Sequence, residues 1–174
     1  MSKLYKIEDF YIKTKFKYHK NLKQKFLDLI DQMPNISHDN IKKTDWKILE
    51  PKTYEKLFHY YFEDILDNIG KLIKASDCKI TSLWFQQYYK NNSHSWHNHP
   101  GSDFSNIYYL ELPNTKYKTQ FYNLLTKKPF KDIKIEEGDI ITFKGSMPHR
   151  SKKIISTERK TVIVFNTNYK TIKI

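Results

Sequence analysis

The sequence predicts an α+β fold in which two N-terminal helices cover one outer face of a β-sandwich or β-barrel. Apolar residues recur at intervals of three and four in two stretches before residue 75, as they do on one face of a helix. Beyond Ala75 the chain becomes a series of short β-rich stretches separated by turn signals, which is typical of a sandwich or barrel. Helices that precede an uninterrupted β half are expected to pack on one side of it.

The N-terminal part of the chain contains the outer strands and both helices. Residues from about Leu4 to Lys17 alternate weakly between apolar and polar and predict one or two outer strands. The first helix is predicted from His19 to Met33, because its apolar residues share one face and a proline follows. After a polar, irregular segment from Asn35 to Pro51, Thr53 is expected to cap a second helix with an apolar face from Leu57 to Leu72.

Six strands are predicted in the second part of the chain. Each is rich in β-branched or aromatic residues, and turn-forming residues separate them. The predicted strands are Cys78 to Tyr89, Phe104 to Leu112, Lys118 to Tyr122, Ile133 to Ile135, Asp139 to Phe143 and Lys160 to Asn166. This number and spacing of short strands is what leads to the expectation of a sandwich or barrel.

The length of 174 residues suits one domain with a sizeable core and is too short for two ordinary domains. We therefore expect a single domain, with a supporting part at residues 1–75 and a β core at residues 76–174. The only cysteine, Cys78, allows no internal disulfide, which favours an intracellular setting. The N-terminus lacks a signal-peptide pattern, and no stretch approaches the roughly 18 apolar residues of a membrane span. These features predict a cytoplasmic protein without a membrane partner.

The net charge of +12 raises the question of a polyanionic partner. Lysines are spread through most of the predicted elements, without a dense basic arm, so compositional bias explains most of the charge. Arginine is different, because it occurs only at Arg150 and Arg159. A chain that uses lysine almost everywhere is expected to need the planar guanidinium at these two positions.

Three histidines predict a metal site. His97 and His99 are two residues apart, so in an extended segment their side chains project to the same face. His149 follows a later predicted strand and could supply a third nitrogen. Three imidazoles with open positions suit iron, manganese, copper or zinc. The alternative is that His97 and His99 lie in a polar surface loop, although flanking Trp96 and Phe104 favour a partly buried setting.

The order of these motifs resembles the small Fe(II)- and 2-oxoglutarate-dependent oxygenases. The resemblance is carried by His97-x-His99, the strand SNIYYLELP, the segment EGDIITFKGSMPH with His149, and Arg159 in ERKTVIVFN. It covers roughly Cys78 to Asn168 and is closest to short members from phages and bacteria that are related to prolyl hydroxylases. It implies a double-stranded β-helix, a jelly-roll or cupin-like barrel, supported by the two N-terminal helices.

The resemblance also implies roles for individual residues. His97, His99 and His149 would bind Fe(II), with no catalytic residue beyond the metal centre. Arg159 would hold the distal carboxylate of 2-oxoglutarate through two parallel hydrogen bonds. Tyr109 matches a position where such enzymes place a tyrosine hydroxyl near this co-substrate, and Tyr88 is a weaker candidate. The implied reaction consumes O2, converts 2-oxoglutarate to succinate and CO2, and hydroxylates the substrate.

The sequence departs from the family pattern at one ligand. The family carries a His-x-Asp pair, whereas here the second position is His99. Asp103, four residues further on, is the only nearby acid and is the fallback ligand if the loop folds back. An all-histidine site would hold the metal with one negative charge fewer than the usual two histidines and one carboxylate.

Two other functions remain open from the sequence. The first is a cupin, which would bind metal in a similar barrel without 2-oxoglutarate; the position of Arg159 and the scarcity of glycine between strands argue against it. The second is a basic nucleic-acid- or partner-binding module whose histidines are incidental. The substrate could be a protein, an amino acid, a nucleic acid or a small metabolite, because specificity is expected in loops such as Asn35–Pro51 and Lys116–Pro129.

Overall fold

The protein is represented by a computed structural model that describes residues 5–7, 11–130 and 133–171. The described residues contain two helices, α1 (His19–Asp31) and α2 (Glu55–Leu72). Their strands are β1 (Tyr5–Ile7), β2 (Tyr11–Lys15), β3 (Lys43–Thr44), β4 (Ala75–Tyr88), β5 (His94–His97), β6 (Phe104–Glu111), β7 (Thr119–Asn123), β8 (Lys128–Pro129), β9 (Asp139–Lys144), β10 (His149–Ser151) and β11 (Lys160–Thr171).

The strands form two antiparallel sheets. The large sheet has seven strands in the order β1-β2-β9-β6-β11-β4-β3, and the small sheet has four in the order β5-β10-β7-β8. The longest pairing joins β4 and β11, which places Lys160 opposite Tyr88 and Val164 opposite Trp84. The predicted α+β class is therefore confirmed, with two helices preceding a mostly β remainder.

The alternation of β11 explains why the large sheet has a core on both faces. Ile163 and Phe165 face the helices, where Phe165 lies 4.9 Å from Phe58, centroid to centroid. Val162 and Val164 face the opposite way and join the core that contains Phe121 of the small sheet. Because successive side chains of a strand point to opposite faces, one apolar run supplies both cores. The helices thus cover one face of the large sheet, as the sequence predicts.

The terminal strand predictions have mixed outcomes. Strands β1 and β2 occupy the predicted outer position at the edge of the large sheet, while Leu4 and residues 8–10 of that prediction lie outside the described residues. The predicted strand Ile133–Ile135 is wrong, because these residues have no ladder. Ile135 is nevertheless 1% exposed in the core. The apolar alternation of this segment reflects the packing of its side chains rather than a strand. A turn follows it, in which the Gly138 amide donates to the Tyr109 carbonyl (2.8 Å).

The segment between the helices is more ordered than the sequence suggests. It contains β3, which pairs with β4 and is followed directly by Asp45, whose side chain is fully buried. The Asp45 carboxylate accepts hydrogen bonds from the Tyr54 hydroxyl (2.7 Å) and the Phe85 amide (2.8 Å), and lies 3.2 Å from the Lys52 ammonium. One buried carboxylate thereby joins this segment to α2 and to the large sheet.

Replacing Asp45 with alanine is expected to destabilise the protein by roughly 3 kcal/mol, because two buried donors and the Lys52 cation lose their acceptor. Urea denaturation measures this change. Asp64→Ala, an exposed acidic position on α2, is the matched control and should change the unfolding free energy by less than about 0.5 kcal/mol. Equal small effects for both variants would contradict the role given to Asp45.

No helix among the described residues is both long enough and apolar enough to cross a membrane.

Candidate metal centre

Two of the three predicted histidines face each other across a pair of strands. His97 is the last residue of β5 and His149 is the first of β10, and the two are direct partners in the antiparallel register. Their ring centroids lie 4.2 Å apart. Paired residues on the same face of two neighbouring strands are the closest side-chain neighbours that a sheet offers. The pairing of β5 with β10 therefore brings these two imidazoles together.

His99 reaches the same place from a loop, whereas the sequence analysis placed it with His97 on an extended segment. The His99 amide donates to the Gly145 carbonyl (2.7 Å), and the Gly145 amide donates to the Asp103 carbonyl (2.9 Å). A Cβ atom at Gly145 would lie 2.7 Å from the His99 carbonyl oxygen, so only glycine permits this approach. The tight contact between the loop and Gly145 fixes the position of His99.

The three imidazoles form one cluster. One ring nitrogen from each of His97, His99 and His149 lies within 4.8 Å of the others. The centroid of the His99 ring is 5.2 Å from that of His97 and 5.2 Å from that of His149. Nitrogens at this spacing can surround one divalent ion with only small side-chain adjustments.

Backbone contacts orient two of these rings. His97 Nδ1 donates to the Ser95 carbonyl (2.8 Å), and His149 Nδ1 donates to the Met147 carbonyl (3.0 Å). With the proton on Nδ1, the neutral ring has its lone pair on Nε2, which is the arrangement found in metal-bound histidines. His99 Nε2 is buried and has no hydrogen-bond partner among the described residues. A metal ion would satisfy this buried nitrogen.

The site keeps its histidines uncharged. Burial lowers the pKa of His149 well below its usual value, and the neighbouring His97 lowers it further. Burial, with a smaller contribution from His97, lowers the pKa of His99 to about 4. The pKa of His97 is also lowered by burial, although the Ser95 carbonyl opposes this shift. Neutral imidazoles are the form that binds metal, so at neutral pH no proton has to be displaced.

A fourth histidine adjoins the cluster. His94 stacks on His97 with ring centroids 3.8 Å apart and planes 26° apart. Its Nδ1 lies 3.5 Å from the side-chain nitrogen of Gln86. It lines the same cavity as the other three histidines. His94 limits the movement of the His97 ring from the side opposite His149.

Asp103 lies away from the cluster. Its carboxylate accepts a hydrogen bond from the Tyr169 amide (2.9 Å), and its own amide donates to the Asn168 side chain (2.9 Å). Asp103 therefore joins the histidine loop to β11, and the described residues close enough to share one ion are the three histidines. The structure gives no support to Asp103 as the fallback ligand.

The histidines open into a cavity between the two sheets, with an empty volume of about 320 Å³. One wall is built from alternate residues of β11 and β4, including Val162, Val164 and Trp84, and the Trp84 ring lies 5.6 Å from that of His99. The figure of about 320 Å³ includes space open to solvent, and the part that a water-sized sphere can enter is about 20 Å³, which is room for roughly one water molecule.

Lys160 provides a cation inside this cavity. It is 1% exposed, its ammonium donates to the Ser151 hydroxyl (2.9 Å), and it lies 4.8 Å from the centroid of the Tyr88 ring. Burial lowers the pKa of Lys160 to about 7. Ser151 is two residues beyond His149 on β10, a separation of about 7 Å along a strand. The cavity therefore has metal-binding groups and a cation within the length of a small dicarboxylate.

Arg159, the predicted carboxylate-binding residue, does not lie in this position. Its guanidinium binds both carboxylate oxygens of Glu111 (2.7 and 3.1 Å) and contacts Asp31 of α1 at 3.3 Å. Thr161, two residues later, bonds to the same carboxylate, so Arg159 and Thr161 share a face of the chain. Lys160 has the opposite phase and points into the cavity. The spacing expected from the family therefore pointed to Arg159, one residue before Lys160, which is the cation that lines the cavity.

The two predicted tyrosines lie close to Lys160. The Tyr109 hydroxyl donates to the Thr119 hydroxyl (2.8 Å) and accepts from the Thr119 amide (3.2 Å), and Thr119 lines the cavity. Tyr88 lines the cavity directly, and its hydroxyl donates to the Gln86 side chain (2.8 Å). Burial raises the pKa of both tyrosines, so both remain hydrogen-bond donors. Tyr88, the weaker candidate from the sequence, is the one that contacts the cavity.

Comparisons with solved structures place this architecture among known folds. The chain is similar to the viral collagen prolyl hydroxylase of Paramecium bursaria Chlorella virus-1, with a TM-score of 0.63, 11% identity and coverage of 95% of this chain and 97% of that one. It has the fold of a 2OG-Fe(II) oxygenase. HygX from Streptomyces hygroscopicus, solved with nickel, 2-oxoglutarate and hygromycin B, has a TM-score of 0.66 and 9% identity, and the match covers 91% of this chain and 82% of HygX.

A third oxygenase-fold protein matches over a smaller part. It is a 2OG-Fe(II) oxygenase-family oxidoreductase from Burkholderia pseudomallei, with a TM-score of 0.57 and 11% identity over 71% of this chain. This chain spans 60% of that protein's length. Neither a protein-family model nor a curated protein sequence matches the chain. The similarity is therefore one of fold, and the chemistry has to be argued from the cavity.

Proposed function

We propose that this protein is an Fe(II)- and 2-oxoglutarate-dependent oxygenase that hydroxylates its substrate. The observation that carries the proposal is a single cavity that contains three converging histidine nitrogens and a buried lysine ammonium. The proposal includes a double-stranded β-helix formed by the two sheets of one domain, as in the oxygenase fold. When bound, iron and 2-oxoglutarate supply the oxidising chemistry, in which O2 is consumed and succinate and CO2 are formed.

The chain's own residues bind and orient these groups. His97, His99 and His149 hold the metal, leaving positions for 2-oxoglutarate and O2. Because all three ligands are neutral, the full positive charge of the ion remains available to attract an anionic co-substrate. Val162, Val164 and the other apolar residues of the wall exclude water from the reacting groups.

Lys160 takes the role that the sequence assigned to Arg159. Its ammonium would bind the distal carboxylate of 2-oxoglutarate, and the Ser151 hydroxyl already holds it at the correct depth. Thr119, oriented by Tyr109, and Tyr88 complete the polar surroundings of this carboxylate. Burying a lysine ammonium without a carboxylate partner among the described lining residues costs free energy. An anionic ligand would remove that cost.

The affinity for 2-oxoglutarate is expected to fall as the pH rises above neutral. The free site has a Lys160 pKa of about 7, and only the protonated lysine binds a carboxylate strongly. Affinity should therefore be nearly constant at low pH and weaken about tenfold between pH 6 and pH 8. A bound metal cation would move the midpoint to slightly lower pH.

Calorimetry on metal-loaded protein at several pH values measures this dependence. In buffers of different ionisation enthalpy it should also detect uptake of a proton when 2-oxoglutarate binds near pH 7. Lys160→Arg is the control, because a guanidinium stays charged over this range and should remove the pH dependence. An unchanged pH profile in Lys160→Arg would contradict the assignment of the titrating group.

Anaerobic titration with Fe(II) and then 2-oxoglutarate tests the function directly. We expect a metal-to-ligand absorption band that requires both additions and that is lost in Lys160→Ala, while Fe(II) binding is retained. On admission of O2, succinate should be released. Absence of the band under full iron loading would rule out the proposal.

One feature favours a second candidate, a cupin-type metal protein that does not use 2-oxoglutarate. The described ligand set is entirely histidine, without the carboxylate of the usual facial triad. In that case Fe(II) would bind with the same affinity in the wild type and in Lys160→Ala, and neither protein would show the band or release succinate.

A further inference from the structure

The acidic residues are absent from the stretches that build the small sheet. None of the 19 Asp and Glu residues falls within 78–102, 112–131 or 140–157, which contain β5, β7, β8 and β10. The same stretches contain exposed lysines, which include Lys116, Lys127, Lys128, Lys152 and Lys153. These stretches therefore contribute positive charge and no acidic side chain of their own, although lysines occur throughout the sequence.

The outer face of the small sheet combines this charge with one exposed aromatic ring, Trp96, and one half-buried ring, Tyr122. Arg150 lies between His149 and Ser151 on β10 and so points away from the metal cluster. Its guanidinium carbon lies 4.5 Å from the centroid of the Trp96 ring, and its Nε donates to the Gln120 side chain (2.8 Å). Trp96, 37% exposed, contacts Tyr122 with centroids 5.3 Å apart. We call Trp96, Gln120, Tyr122 and Arg150 the outer platform.

A basic groove continues from the outer platform. It is lined by Lys116, Lys118 and Lys152, with Phe130 and Gln120 between them. Gln120 belongs to both the groove and the outer platform. Thr119 lines both this groove and the histidine cavity. The groove and the cavity therefore adjoin at Thr119.

We propose that the outer platform and the basic groove bind single-stranded nucleic acid. Exposed aromatic rings give stacking surfaces for bases, and lysines spaced along a groove contact successive phosphates, which together are the means of binding single strands without a sequence requirement. An acidic peptide would satisfy the lysines but would leave the Trp96 and Tyr122 rings without stacking partners. Burial lowers the pKa of His94 and His97, which line the cavity, and the negative charge of Asp39 opposes this shift. Asp39 lies in a loop that does not contribute to the basic groove.

This binding does not depend on the proposed oxygenase function. Binding is therefore tested on protein loaded with redox-inactive Zn(II), without 2-oxoglutarate, by fluorescence anisotropy of a labelled 12-nucleotide single-stranded DNA of mixed sequence. A duplex of the same length and a polyglutamate peptide of the same charge are compared with it. We expect the single strand to bind most tightly, with an affinity that falls as salt is added.

Two pairs of variants locate the surface. Trp96→Ala should weaken single-strand binding about tenfold, whereas Trp96→Phe should keep most of it, which distinguishes stacking from misfolding. Lys116→Ala with Lys152→Ala should reduce the slope of log affinity against log salt by about 1.4, which is roughly 0.7 for each lost phosphate contact. Lys25→Ala with Lys56→Ala, exposed lysines on the two helices, removes the same net charge and should leave binding nearly unchanged.

Equal losses from both lysine pairs would show attraction by net charge alone and would overturn the proposal. Tighter binding of polyglutamate or duplex, or no effect of Trp96→Ala, would also overturn it. Single-strand binding in a protein that gives no band with Fe(II) and 2-oxoglutarate would sustain this proposal and end the oxygenase assignment. A normal band without single-strand binding would do the reverse.

Discussion

Replacing Lys160 with methionine is expected to abolish binding of 2-oxoglutarate and, at the same time, to stabilise the protein. The loss of binding follows because the charged partner that we propose for the distal carboxylate is removed. The gain in stability follows because burial penalises the ammonium: the pKa of Lys160 is about 7 in the folded protein, against 10.5 for a lysine in water. The unfolded chain therefore binds more protons between these two pH values.

The sign of the pH dependence follows from that difference. Wild-type stability should rise with pH from about 7 to about 10, because the folded protein no longer has to bury a charge that the unfolded chain keeps in water. Below pH 7 the methionine variant should be more stable by up to about 4 kcal/mol, with the difference shrinking towards pH 10. Urea denaturation at pH 6 and pH 9 measures both values.

Lys56→Met is the matched control, since Lys56 is exposed on α2 and its substitution should change stability by less than about 0.5 kcal/mol. A Lys160→Met variant that is less stable at pH 6 would show that the ammonium contributes favourable contacts in the free protein. A variant that still binds 2-oxoglutarate with native affinity would remove Lys160 from the site.

Substitution of His99 should have the largest effect on the metal. His99→Ala leaves two nitrogens for the ion and is expected to weaken Fe(II) or Zn(II) binding at least 100-fold. His99→Asp should retain binding, because a carboxylate restores three ligands and adds the negative charge that the present cluster lacks. Competition with a chromophoric chelator measures both affinities.

His59→Ala, which removes an exposed histidine on α2, is the control and should bind metal as the wild type does. Native affinity in His99→Ala would mean that the ion binds without this residue, for example through His94. In that case the stacked pair His94 and His97 would need to be considered as ligands together.

The convergence of the histidines could be expected from the sequence because it depends on local geometry. His97 and His149 each belong to a short β segment, and pairing of those segments is sufficient to bring the rings together. The way in which His99 arrives was not predictable, since it depends on a contact between its loop and Gly145 that is distant in sequence. Likewise, the apolar alternation of Ile133 and Ile135 reports burial, which a strand and an irregular segment can share.

The carboxylate-binding residue shows a different limit of sequence reasoning. Family spacing and the rarity of arginine both favoured Arg159, yet strand phase decides which residue enters the cavity. Lys160 is in phase with Val162 and Val164, and a lone charged residue in phase with buried apolar ones is the signal that could have identified it. The distribution of acidic residues was equally visible in the sequence, but its meaning depends on β5, β7, β8 and β10 forming one sheet.

Because β5 lies at the edge of the small sheet, its stability would depend on whether an ion is bound to the histidines. This strand is four residues long and has β10 as its only ladder neighbour in the described sheet. An ion bound by His97, His149 and His99 would connect β5, β10 and the loop after β5 at one point. It would thereby stabilise this edge of the described sheet, where β5 is otherwise held by a single neighbouring strand. Loss of the ion would then loosen Trp96 along with β5, so that metal content and the shape of the exposed aromatic surface would change together.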